Sequence, residues 1–301
     1  MPNTLVHFSV QTPVSHAFFR EADFKWIAVG CIIPDIPWII QRIILAADTG
    51  ADLYLVLTYV TIQASLFFCL ILSAALCLVT KSSGRIFLLL SMNSLFHLVL
   101  DSMQIKWANG VHLMAPFSWR LTNFSLFWPE DVLIYVLTFL GFGVLVFYGI
   151  RDWRKPVVFS VSIKNIIASL LLFLVYLFLP LLMLTGPERA NNHYASTLLN
   201  VDERPGKYIE LDRSRFRKDD KTIRIFSGER LKAGGKIPEK DGVVSVKGHF
   251  IDEHTIEISE YHIHSPIRDM SSKMALAGVL VIWFAALAGK KIILEQRPSD
   301  F

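Results

Sequence analysis

His97 and Asp101 stand one helical turn apart in SLFHLVLDSM (94–103), with Asn93 one turn earlier. Spacings of four put all three on one helical face. An imidazole and a carboxylate so placed can bind a divalent cation, relay a proton or form an ion pair. A second carboxylate, Asp35, lies in IIPDIPWII (32–40), where Pro34 and Pro37 prevent a regular helix. Both stretches are otherwise apolar. An Asp at the centre of a membrane helix costs about 2.5–3.5 kcal/mol on insertion scales, so such groups are functional candidates by default. Irregular backbone at that depth survives only inside protein or along a cavity. Asp35, His97 and Asp101 are therefore expected around one polar cavity. A divalent ion there would offset their charge, zinc if further nitrogen ligands join. Two plainer roles stay open: an ion pair between His97 and Asp101 near the interface, and a cap by Asp35 on a broken helix.

The elements that must position these groups are membrane helices. The 301-residue chain is 53% hydrophobic with a mean hydropathy of +0.45. Apolar blocks run over 54–80, 131–150, 165–184 and 274–289, with weaker ones over 26–45 and 86–101. A crossing helix needs about 20 such residues. The N-terminal 1–19 contains Pro13 and is expected at the interface or as a re-entrant segment. No basic stretch leads into an apolar core with a cleavage site, so no signal peptide is expected. Cys31, Cys69 and Cys77 all lie in apolar segments without a CxxC pair and read as small core residues. Lys81 and Arg85, then Arg151, Arg154, Lys155 and Lys164, then Lys290, Lys291 and Arg297 flank alternate spans. The positive-inside rule places these in the cytoplasm, and 102–130 and 187–272 outside.

Residues 187–272 are charged and turn-rich, with alternation in GKYIELD (206–212), KTIRIFSG (221–228), GVVSVKGHF (242–250) and HTIEISEYHIH (254–264). Such patterning predicts short antiparallel strands or a small barrel, resembling an OB-fold in outline. The expected fold is an α-helical integral membrane bundle with an inserted extracytoplasmic β domain. Its parts are 1–186, 187–272, and a last span with a cytoplasmic tail over 273–301. His262 and His264 point to one sheet face, with His249 and His254 near in sequence; surface positions are the ordinary expectation, and a metal or proton-sensing site the alternative. The basic run DRSRFRK (212–218) is followed by acidic residues and reads as a solvated turn, so no nucleic-acid partner is expected.

His7, IIPDI (32–36), HLVLD (97–101) and GVHLMAP (110–116) followed by FSWR occur in that order. Through these pieces residues 1–150 resemble the bacterial inner-membrane metal-dependent hydrolases, distant relatives of zinc-dependent phospholipase C. The resemblance implies metal ligands at Asp35, His97 and Asp101, with His7 as a fourth. It implies an outer loop, GVHLMAPFSWR, closing over the site, and a metal-bound water attacking an ester or phosphoester of a phospholipid-like substrate. The chain departs from the pattern at two points. Gln63, Ala64 and Ser65 stand where a Thr-His-Ser ligand element is expected, and Pro37 replaces a second carboxylate. His16 and His112 are the candidate substitutes, His112 reading more simply as a surface residue. The alternative function is non-enzymatic: a degenerate hydrolase-like bundle presenting its β domain to an envelope protein or polymer.

Overall fold

The computed structural model describes residues 3–47, 49–153, 155–190, 193–288 and 292–296. It is a helical bundle carrying a separate five-stranded barrel. Five helical segments are long and apolar enough to cross a membrane: Phe24–Ala47, Ser83–Met103, Val132–Asp152, Ile163–Pro187 and Ile267–Ala288. The first is α2 (Phe24–Ile32) and α3 (Ile36–Ala47), joined by a 3-10 turn over Ile33–Asp35. That turn is the irregularity Pro34 and Pro37 impose. α6 (Ser83–Met103), α7 (Val132–Asp152) and α11 (Ile267–Ala288) are continuous, while α8 (Ile163–Phe178) runs on through a second 3-10 turn. On α7 and α8, Phe139, Phe147, Leu170 and Leu171 stay exposed, as suits side chains meeting acyl chains rather than water.

The apolar block 54–80 is not one straight span. It forms α4 (Leu53–Gln63) and α5 (Leu66–Leu78), bent by 70°. The break falls at Gln63–Ala64–Ser65, where Gln63 Nε2 donates to the Tyr59 hydroxyl and to the Tyr176 carbonyl. Counting the pair as one span gives six.

The N-terminal segment also differs from its expectation. α1 (Thr4–Phe18) is buried in the bundle rather than lying at its edge, with Leu5, His7, Phe8, Gln11 and Ser15 all shielded. Its 15 residues extend about 22 Å, too short to cross. Asn3 Nδ2 donates to Thr138 Oγ1 at 2.7 Å, and Gly141 of α7 lets the two helices touch backbone to side. At the other end buried Lys25 donates to the Asp152 carbonyl at 2.6 Å and ties α2 to α7. Two short strands, β1 (Val157–Val161) and β7 (Ile292–Gln296), pair in parallel where the sequence suggested only loops.

After α9 (Thr185–Arg189) and α10 (His193–Leu199), the barrel comprises β2 (Tyr208–Arg217), β3 (Thr222–Arg224), β4 (Arg230–Gly235), β5 (Gly242–Phe250) and β6 (Thr255–His264). It closes in the order β2-β3-β4-β6-β5, antiparallel except for β4 against β6. Inward residues such as Leu211, Phe216, Val246, Phe250 and Ile256 form its own core. The basic run 212–218 lies largely within β2, not in a turn, and a bulge between Leu211 and Ser214 turns Arg213 aside.

Candidate metal centre

α6 presents Asn93, His97 and Asp101 on one buried face, as their spacing requires. α2 approaches that face closely at Gly30, where a Cβ would lie 2.8 Å from the Asn93 Cβ. The approach brings the Cys31 carbonyl to 2.6 Å from His97 Nδ1. A carbonyl only accepts, so Nδ1 carries the proton and Nε2 keeps its lone pair. His7 is set the same way. The Gln11 amide satisfies its neighbours when its oxygen accepts from His7 Nδ1 at 3.1 Å and its nitrogen donates to Asn93 Oδ1 at 2.9 Å. Such carbonyl partners are how metal-binding imidazoles are commonly oriented.

The inward atoms converge. His7 Nε2 lies 3.5 Å from Asp101 Oδ1, and His97 Nε2 lies 3.8 Å from Asp101 Oδ2 and 3.6 Å from Asp35 Oδ1. Ligand atoms about 2.1 Å from a shared ion at the tetrahedral angle stand about 3.4 Å apart. His7 Nε2, His97 Nε2 and Asp101 Oδ1 are buried with no hydrogen-bond partner among the described residues, a costly condition that a cation would relieve. His7, His97 and Asp101 thus form a group that could hold a metal ion, with Asp35 beside it on the 3-10 turn. The two rings stack with centroids 3.8 Å apart and planes 4° apart. An imidazole binds an ion in its ring plane, so sharing one ion requires one ring to turn.

Asp101 of this group lines a chamber of about 400 Å³. Gly110, Val111 and His112 of the loop after α6 line one wall, and Ala64 lines another. Asp212, Arg213 and Val243 of the barrel line the far side. His112 is buried, not at the surface. His16 lies away from the group, stacked on Tyr148 with Arg151 nearby. Lys106, unnoticed in the sequence, reaches Asp101 Oδ2 at 3.5 Å. Gln11 was equally invisible, since a lone Gln at helical spacing carries no signal.

A second group, Glu130 with His262 and His264, also has metal-ligand geometry. Its inward atoms are paired with one another: Glu130 Oε2 meets His262 Nε2 at 3.0 Å and Oε1 meets His264 Nδ1 at 3.2 Å. Ser265 N–H also donates to Glu130, and Trp128 stacks on His262. This group is a clasp joining the loop before α7 to the barrel. His249 and His254 lie apart from it, beside Tyr208 and Glu229. Burial alone would raise the Glu130 carboxyl, yet the two imidazoles hold it well below the usual carboxylate range. Burial pushes the His264 ring below its ordinary value, with Glu130 opposing.

Both shifts have one sign for stability. A lowered carboxyl stabilises the fold above its unfolded value, and that contribution fades as pH falls. A lowered imidazole resists protonation in the folded state, so acid weakens it too. The His264 share of the clasp is therefore expected to fade as pH falls below the ordinary histidine value of 6.5, and the Glu130 share only below the ordinary glutamate value of 4.5. Hydrogen exchange at the Ser265 amide, corrected for its intrinsic pH dependence, should lose protection between neutral and mildly acidic pH. Unchanged protection would refute the assignment.

No protein-family model, curated protein or solved structure matches this chain.

Proposed function

We propose that the protein is a membrane-embedded, metal-dependent hydrolase acting on an ester or phosphoester of a lipid-like molecule, with zinc at His7, Asp35, His97 and Asp101. One observation carries this reading. Three buried atoms without partners among the described residues lie within 4.8 Å of one another, and the Asp101 carboxylate among them opens onto a chamber of about 400 Å³. A divalent ion bound there supplies Lewis-acid polarisation and a water activated near neutral pH. The chain's own groups do the rest. The Cys31 carbonyl and Gln11 hold both imidazoles in the ligand tautomer, and the barrel supplies Asp212, Arg213 and Val243 to the chamber wall. By the positive-inside rule the barrel faces away from the cytoplasm, on the outer side of a bacterial inner membrane. Its five closed strands suit an OB-like module.

A non-enzymatic reading has one observation in its favour. Ala64 occupies the chamber wall where the hydrolase-like pattern would place a further ligand. The bundle would then be a scaffold that presents the barrel to an envelope partner.

Metal content separates the two. The detergent-purified full chain should carry about one zinc or manganese per molecule, and His97→Ala and Asp101→Asn should each abolish it. A folded, metal-free wild type would decide for the scaffold.

A further inference from the structure

Three arginines from distant parts of the chain gather around one carboxylate. Arg42 of α3, Arg213 of β2 and Arg268 at the start of α11 reach Asp269 at 3.9, 3.2 and 3.8 Å. All four line the chamber above the metal group. The other charges on its lining are committed: Lys106 to Asp101, and Asp212 to the Ser245 hydroxyl. Arg213 Nη1 is buried without a hydrogen-bond partner among the described residues. Burial, with Arg268 close by, pulls Arg213 below its ordinary value, against the opposing pull of Asp269, Asp212 and Glu130. Its backbone is left-handed, φ 50°, at the β2 bulge. Non-glycine residues rarely adopt that region, and bulges of this kind re-aim a side chain.

A second cavity, of about 270 Å³, opens between α3 and α11. Ile39, Ile43, Ala46 and Leu276 make its walls apolar, and Asp35 lies at its edge. It shares Trp38, Arg42 and Arg268 with the chamber. The metal group therefore stands between a cationic chamber and an apolar cleft flanked by two membrane-spanning segments.

We infer that chamber and cleft together bind one membrane lipid whose phosphate headgroup carries net negative charge, unlike a zwitterionic one, with that headgroup against Arg42, Arg213 and Arg268 and its acyl chain between α3 and α11. Guanidinium forks match phosphate oxygens in geometry as well as charge, which favours a phosphate over a neutral headgroup. The apolar cleft commits the ligand to a lipid rather than free phosphate. This deepens the hydrolase reading by naming its substrate class, and it rests on that reading only for what happens after binding.

The test titrates the full chain in neutral detergent with phosphatidic acid, phosphatidylcholine and inorganic phosphate, reading bound ligand by native mass spectrometry. Phosphatidic acid should bind at least about tenfold more tightly than phosphatidylcholine, the difference of one lost charged hydrogen bond. Arg42→Gln and Arg213→Gln should each weaken it by about tenfold or more. Arg42 is exposed enough that its replacement leaves the fold intact. Equal binding of the two lipids, insensitivity to both substitutions, or displacement by inorganic phosphate as effective as by the lipid itself would overturn the inference. Repeating the titration with His97→Ala separates the claims. Lipid binding retained there supports the arginine site whatever the fate of the metal, and loss of discrimination in a metal-loaded wild type refutes it while leaving the hydrolase reading standing.

Discussion

Stripping the metal from a loaded sample should lower the stability of the folded chain by about 4 kcal/mol when free ion had stood at 1,000 times its dissociation constant. The reason lies in the three unpartnered atoms. His7 Nε2, His97 Nε2 and Asp101 Oδ1 form a donor set only when α1 and α6 are packed together, so an ion that needs all three binds the folded state alone. Thermal unfolding in detergent, with and without chelator, reads the effect. His97→Ala should melt at one temperature in both conditions. A wild type indifferent to chelator would mean that the group holds no ion, and that His97 and Asp101 serve as the plain ion pair the sequence also allows.

A single methyl group on a residue outside the ligand set should do comparable harm. A Cβ at Gly141 would stand 1.8 Å from the Leu5 carbonyl oxygen and 2.5 Å from its carbon. Backbone atoms cannot rotate away as a flexible side chain can, so Gly141→Ala must push α1 off α7. Overpacking of this kind costs typically 1–3 kcal/mol, and contact with backbone puts the expected loss at about 3 kcal/mol or more. Leu5 is two residues from His7, so the displacement also opens the metal group. The variant should lose metal along with stability, although no ligand has changed. Gly143→Ala is the control: nothing lies within 4 Å of its added carbon, and it should behave as wild type. If both variants keep their ion, α1 does not position His7 in the way described.

The charged members of the site were legible because charge in an apolar run is conspicuous. Asp35 and His97, with Asp101 one turn on, stood out by type and spacing, and the structure brings them together. Pro34 and Pro37 announced the break that places Asp35. What the sequence concealed depends on contacts between distant segments. Arg42 and Arg268 look like ordinary charges on helices until both meet Asp269. Arg213 looks like part of a solvated basic run, because one-dimensional alternation cannot register the bulge that redirects it. Glu130 reads as an acidic residue ahead of a helix, and only the barrel's return to the bundle supplies His262 and His264. His112 sits in a stretch with every mark of an exposed loop, yet it is buried, on the lining of the chamber. The block 54–80 shows the limit of hydropathy itself. Its average is that of a straight span, and the 70° bend is decided by three small or polar residues within it.

The barrel has a core of its own, separate from the two clusters that hold the helices together. Groups that would grip an ion belong to the bundle, whereas Arg213 is a guest from the other architecture. Evolution can therefore rework one without retuning the other. A lineage that swapped the inserted module would inherit the buried His–Asp group unchanged and acquire a new doorway above it.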